Sequence, residues 1–377
     1  MKEMIESRPT GLISTPEITT EELQLAVRNH SMPLEALRYD VTPVGLHYVL
    51  IHFDIPQVDA ATYELRVGGL VDNPLRLSLD DIKSRPATTM PVTLECAGNG
   101  RSRLSPRPKS QPWVIEAVGN AEWTGTSLSS ILDEAGIKPS ALELVFTGMD
   151  RGVQGDVDQW YERSLTVDEA SRPEVLLVYA INGLPLPPQH GFPLRVLVPG
   201  WYGMTQVKWL RSITAIDRRF EGYQQAVKYQ FRTAEDAPAE PVARMLPRAL
   251  MLPPGVPDYM SRKRFVDQGR VVVEGRAWSG RAPVTAVQFS ADGGSTWSTA
   301  SLDEPVSPFA WRRWTYEWDA TRPGEYELCA RATDAAGNVQ PLTQSWSLEG
   351  VQNNAVQRVP VTVGGVDAVQ EPADSLA

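Results

Sequence analysis

The chain is short of the residues that build disulfide scaffolds, zinc sites and hydrolase triads. Two cysteines in 377 residues cannot form a disulfide framework. Neither sits in the closely spaced pairs that structural zinc requires. Four histidines occur, His30, His47, His52 and His190, and none stands in a hydrolase motif. No segment of suitable length offers two haem-ligating histidines. No apolar run approaches the roughly 18 residues of a membrane span. The first residues, MKEMIESRPTGLISTPEITTEEL, have neither an apolar export core nor twin arginines. The expected location is therefore cytoplasmic, with both cysteines reduced. A net charge of −10 argues against nucleic acids and anionic membranes as general partners.

Proline is plentiful, with 31 residues; that favours loops and short strands over long helices, and the length suggests two domains. Residues 1–40 read as an N-terminal arm, with Thr19 and Glu22 as a capping box on the short helix TEELQLAVRN. Over 41–235, strand-like runs such as LELVFTG, EVLLVYAING and FPLRVLVPG alternate with turns and one short helix, SLSSILDEA, stopped by Gly136. Several of these runs are apolar on both faces, the pattern of a buried mixed sheet with a few covering helices: an α+β domain. A proline-rich stretch, residues 233–259, leads into the second domain, 236–365. There RVVVEGRAW, VTAVQFSADGGSTWSTASL and GEYELCARATDAAGN alternate at the roughly ten-residue spacing of a β-sandwich. Cys329 falls at a core position of one strand. Residues 366–377 read as an acidic tail.

The chemistry concentrates around LECAGNGR. Cys96 ends a strand, Gly98 and Gly100 allow backbone N–H groups to approach an anion, and Arg101 supplies a bidentate donor. The basic run RSRLSPRPK, with Arg101, Arg103, Arg107 and Lys109, follows directly. Taken alone it is a solvated loop. A thiolate beside such cations serves as a nucleophile or a soft metal ligand. The nucleophile lacks an evident base, and closed zinc sites lack their ligands. What remains is a single-thiolate metal site completed by a cofactor. A second cluster, LPLPPQHGFPLRVLVPGWYGMTQVKWL, places His190, Arg195 and Lys208 around glycine-rich turns suited to a phosphate-bearing ligand. SADGGSTW matches the box of sialidase-type propellers, but a propeller repeats that box in each blade and one copy is present. It reads as a hairpin turn.

LECAGNGR together with HGFPLRVLVPGWYG and VKWL resembles the sulfite oxidase family of molybdenum enzymes, over about residues 40–362. The resemblance implies a mixed-sheet molybdopterin-binding domain followed by an immunoglobulin-like β-sandwich domain that dimerises. It implies molybdenum bound by a molybdopterin dithiolene and Cys96; sulfur ligands suit a soft redox metal. Carried across by motif, cofactor contacts fall on His52, Asp150, His190, Arg195, Gln206, Val207 and Lys208. The oxyanion pocket falls on Arg101, Lys109, Trp113, Tyr229 and Arg358, with Arg101 and Tyr229 as the catalytic pair. The implied activity is oxidation of sulfite to sulfate, with nitrate or sulfoxide reduction as same-fold alternatives and a non-enzymatic binding protein as the alternative outside the enzymes. The chain has Leu50 where the family carries an arginine. Lacking a haem segment, it is expected to pass electrons to a separate acceptor: a c-type cytochrome, another carrier or oxygen.

Overall fold

The strand Ala87–Glu95 is exposed at its start and buried from Val92 to its end, so it runs from the surface into the interior and delivers Cys96 there. This strand belongs to the first of two units in a computed structural model that describes residues 18–364 apart from 345. The acidic tail expected over 366–377 and the beginning of the arm lie outside the described residues. The first unit takes the described chain to Met32, then Pro43–Met245, then a return segment ending at Asn353. Besides a two-stranded sheet, Gln230–Phe231 with Glu240–Pro241, it holds two five-stranded ones. One pairs Ala87–Glu95 with Val118–Ser127, then Leu176–Ile181, which also receives Arg195–Leu197. The other runs in the order Leu75–Ser78, Glu64–Gly69, Leu210–Ile216, Glu143–Gln154, Val157–Thr166. It is mixed, because Glu64–Gly69 and Leu210–Ile216 pair in parallel. Leu65, Ile82, Ile131, Phe146, Leu177, Val196 and Ile213, all fully buried, share its core.

Local chemistry explains several boundaries. The helix Leu128–Ala135 ends at Gly136, whose φ of 66° closes the last turn as a residue with a Cβ would resist. The helix Thr20–Arg28 begins with the expected Thr19–Glu22 capping box. Its Glu22 is almost fully buried and ion-paired with Arg107. The basic run is therefore not a solvated loop: Arg101 and Arg107 are buried, whereas Arg103 and Lys109 are exposed. Between Thr147 and Arg151 the register of Glu143–Gln154 slips against its neighbour, and the irregularity carries Asp150. Such breaks in a ladder re-aim side chains beside functional sites.

The second unit is Pro33–Thr42, Leu246–Gln344 and the chain from Asn354. It is a β-sandwich. One sheet orders Arg248–Leu252, Gly269–Trp278, Arg312–Ala320 and Ser301–Leu302. The other is six-stranded, with Gln357–Val363, Gly324–Asp334 and Val284–Ser290 at its centre. Trp314, Phe289, Leu328 and Val361 fill the space between them. Cys329 is fully buried and free, as its alternating position implies. The SADGGSTW box is a structural turn: Asp292 accepts hydrogen bonds from Ser290 Oγ at 2.7 Å and from Thr296 Oγ1 at 2.6 Å, with Gly293 and Gly294 at positive φ. Among the described residues no helix is long and apolar enough to cross a membrane.

Candidate active site

Cys96 sits one step past the ladder, its N–H donating to Ala117 O at 2.9 Å. Asn99 fastens the turn that follows: its amide donates to Glu95 Oε1 and Ile115 O, both at 3.0 Å, and its carbonyl accepts Ala117 N–H. The two glycines make room for side chains of this chain as much as for a ligand. A Cβ on Gly98 would stand 2.6 Å from Cζ of Arg101, and one on Gly100, where φ is 90°, would meet the Asn353 amide at 2.8 Å. Arg101 thus folds back over the turn. Its Nε donates to Glu349 O and its Nη1 to Gln111 O, both at 3.0 Å. Burial pushes the Cys96 thiol up; the charge of Arg101, the Gly98 N–H and the indole N–H of Trp113 oppose it. Trp113 faces the sulfur short of hydrogen-bond geometry, and its buried N–H has no protein partner. Burial wins, so the free group is held as a thiol, and a metal ligand would form with loss of its proton.

An inner cavity opens beside Cys96, bordered by His52, Asp150, His190, Arg195, Gln206 and Lys208. His190 ends the short turn Pro188–His190, and Arg195 begins the strand that follows, donating to His190 O at 3.0 Å and stacking over Trp123 at 4.9 Å. Lys208 Nζ donates to Leu50 O at 2.7 Å and Gln189 O at 2.9 Å. Gln206 uses its amide on the Val198 and Trp201 backbone, so its part is to shape the loop. Val207 lies in the apolar core, outside the lining. Burial drives the His190 imidazole and the Lys208 ammonium down and the Asp150 carboxyl up. Burial also lowers His52 to about 4. His52 Nε2 meets Gln154 Oε1 at 2.9 Å, and the same oxygen accepts from Gln224 Nε2. The histidine must therefore donate there, which leaves Nδ1 free to accept.

Buried polar atoms without a protein partner gather in this region, among them His47 Nε2, His190 Nε2, Arg195 Nε, Asp150 Oδ1 and Trp113 Nε1. Leaving such groups dry costs about 1–3 kcal/mol each. A ligand rich in donors and acceptors, with an anionic end near Arg195 and Lys208, would satisfy them. Molybdopterin, a pterin carrying phosphate, fits that donor set, and Cys96 would offer a soft ligand to its metal.

An outer cavity continues from the inner one, with His52 and Tyr229 in both linings. Arg101 and Lys109 border it, as do Lys228 and Glu349. Lys109 is exposed and paired with Glu21 at 3.1 Å. Tyr229 has φ of 52°, a left-handed conformation that an aromatic residue rarely holds and that clusters at functional sites. Burial pushes its hydroxyl up to about 12, and the Arg163 guanidinium lies 5.7 Å from its ring centroid. It stays a neutral donor at any ordinary pH. Arg358 belongs to the other unit. It lies on the strand Gln357–Val363 of the second unit, ion-paired with Glu327 and donating to Gly293 O, and lines neither cavity. Sequence reading passed over His47, Gln154, Arg163, Lys228 and Glu349. His47 carried one signal, as one of four histidines and a near neighbour of His52; the others carry no local motif.

A buried cysteine turn beside a cavity of unpartnered polar groups fits a cofactor-binding enzyme. Residues 52–224 match the oxidoreductase molybdopterin binding domain, and residues 255–364 match the Mo-co oxidoreductase dimerisation domain. The mitochondrial sulfite oxidase of Homo sapiens is 35% identical over 352 residues, covering 86% of this chain and 62% of that protein. A nitrate reductase [NADH] of Hordeum vulgare is 31% identical over 370 residues, covering 89% and 40%. The crystal structure of the sulfane dehydrogenase SoxCD from Paracoccus pantotrophus superposes with a TM-score of 0.76 at 29% identity, covering 87% of this chain and 82% of that one. The chain belongs to the sulfite oxidase family of molybdopterin-dependent oxidoreductases. Its cofactor is molybdopterin carrying molybdenum. It spans less than two thirds of the length of the curated relatives it matches.

Proposed function

We propose that this chain oxidises a sulfur oxyanion by oxo transfer, with sulfite to sulfate as the representative reaction. The observation that carries the reading is Arg101, folded over the Cys96 turn and hydrogen-bonded to two carbonyls, so that its charge remains available to an anion. When bound, molybdenum would supply oxo-transfer and two-electron redox chemistry. The protein does the rest. Cys96 is the ligand thiolate. His52, Asp150, His190, Arg195 and Lys208 hold the pterin, while Gln206 and Val207 fix the loop beneath it. Arg101 draws in the anion, Lys109 marks the rim while paired with Glu21, Trp113 and the Tyr229 hydroxyl orient the anion, and Arg163 braces Tyr229 from behind. Arg358 was carried over by motif alone, and the ion pair with Glu327 supports a structural part for it instead.

The dimerisation domain supports a homodimer, and electrons would pass to a separate carrier or to oxygen. Two free, buried cysteines suit a reducing, cytoplasmic setting. The nitrate reductase relative favours a second reading, reduction of nitrate at the same centre. Purified protein with measured molybdenum and pterin content, assayed for sulfite oxidation against nitrate and sulfoxide reduction, decides between them.

A further inference from the structure

Glu349 touches two cations of the outer cavity at once. Its backbone carbonyl holds Arg101 Nε at 3.0 Å, and its carboxylate holds Lys228 Nζ at 3.0 and 3.2 Å. The next residue, Gly350, has φ of 61°, and a Cβ there would stand 2.6 Å from Cγ of Arg101, so the segment lies against the stem of the arginine. Glu349 is 8% exposed, and both side chains of the pair are largely buried. A pair this enclosed is fixed in place, and removing either partner leaves the other's charge uncompensated.

The charges around the cavity can be assigned in turn. Lys109 is paired with Glu21 and Lys228 with Glu349. His52 is neutral above about pH 4. Among the described residues, Arg101 is the lining cation held by carbonyls and by no carboxylate. The cavity therefore has one positive charge to offer. An anion with a single negative charge is matched by Arg101 and leaves the Lys228–Glu349 pair intact. An anion with two must either sit beside the Glu349 carboxylate or draw Lys228 away, stranding a buried carboxylate. Val351 and Tyr223 in the same lining, with Leu50 in the inner cavity, provide surfaces for an uncharged substituent.

We propose that Glu349 is a specificity-determining residue that makes this site selective for singly charged sulfur oxyanions, capped by a proton or a carbon substituent, over doubly charged ones. The inference rests on the oxyanion reading given above. Its test is calorimetric titration of the molybdenum-loaded protein with sodium sulfate and sodium methanesulfonate at matched ionic strength. Wild type should bind methanesulfonate more tightly than sulfate. Glu349→Gln releases Lys228 and should shift the ratio toward sulfate by about tenfold, while Lys228→Gln exposes Glu349 and should shift it the other way. Opposite signs separate a charge effect from general damage to the loop. Turnover of sulfite at acid pH and of methanesulfinate distinguishes the proton cap from the carbon cap, and preference for either over doubly charged sulfite supports the assignment. Binding of both anions with a ratio that neither substitution moves overturns the role of Glu349 alone. Binding of neither anion to wild type overturns this role and the oxyanion reading together.

Discussion

The Arg101 guanidinium lies directly over the Cα of Gly98, in the space a side chain at position 98 would occupy. The glycine is there because the arginine is. Gly98→Ala must push Arg101 off the turn, breaking its bonds to Glu349 O and Gln111 O. Charge-assisted hydrogen bonds to a substrate contribute on the order of 1.5–3 kcal/mol. The Michaelis constant for sulfite should then rise by about ten- to a hundredfold. Molybdenum content should stay near wild type, because Cys96 is untouched. Steady-state kinetics with metal analysis checks this, and an unchanged Michaelis constant at full loading would mean that Arg101 does not hold the anion.

The helix Thr20–Arg28 braces the basic loop through Glu22 and Arg107. Burial by itself raises the Glu22 carboxyl, but the Arg107 guanidinium and the N–H groups of Thr19 and Ser110 outweigh it and hold the group below its usual 4.5. A carboxylate depressed in the folded state stabilises at pH values above its unfolded pKa, and that stability is lost as the pH falls through the folded value. Glu22→Ala removes the carboxylate paired with the buried Arg107 and should cost about 3 kcal/mol near neutral pH. The difference from wild type should shrink below about pH 4.5, as wild-type Glu22 takes up its own proton. Urea unfolding at several pH values measures both.

Leu50 lines the inner cavity, and its carbonyl accepts the Lys208 ammonium. Leu50→Arg adds a donor for an anion, worth about one to two decades in the Michaelis constant for sulfite. It also brings a third cation next to Lys208 and Arg195. The expected outcome at matched molybdenum loading is a lower Michaelis constant with a steeper salt dependence. A higher constant would place the side chain against the pterin cations instead of the substrate.

The sandwich predicts an assembly. Full-length protein should sediment as a dimer at micromolar concentration, and a monomer under those conditions rules out the homodimer.

What the sequence made legible was local. A cysteine at a strand end before two glycines, a histidine–arginine pair on a glycine–proline turn, and alternating strands after a proline-rich stretch each carry their meaning within a few residues. Cys329 as core and Gly136 as a helix stop were readable for the same reason. What was not legible is set by chain topology. Lys228 and Glu349 lie far apart in the chain and meet because the chain comes back to the first unit through the segment ending at Asn353, which has no periodic pattern. Gln154 reaches His52 across a similar gap. Arg358 shows the converse. Its motif placement gave no hint of its local setting, where strand register holds it opposite Cys329, paired with Glu327. Division of the first unit into separate sheets was equally hidden, since runs apolar on both faces fit one sheet or several.

The account stands or falls on Cys96 as a ligand to molybdenum. X-ray absorption at the molybdenum edge, on purified wild type and on Cys96→Ser with comparable loading, reads the sulfur neighbours of the metal directly. The serine variant keeps nearly the same side-chain volume and should remain folded. It should show one sulfur neighbour fewer than wild type and lose turnover. An identical sulfur count in the two proteins would contradict the assignment, whatever the activities.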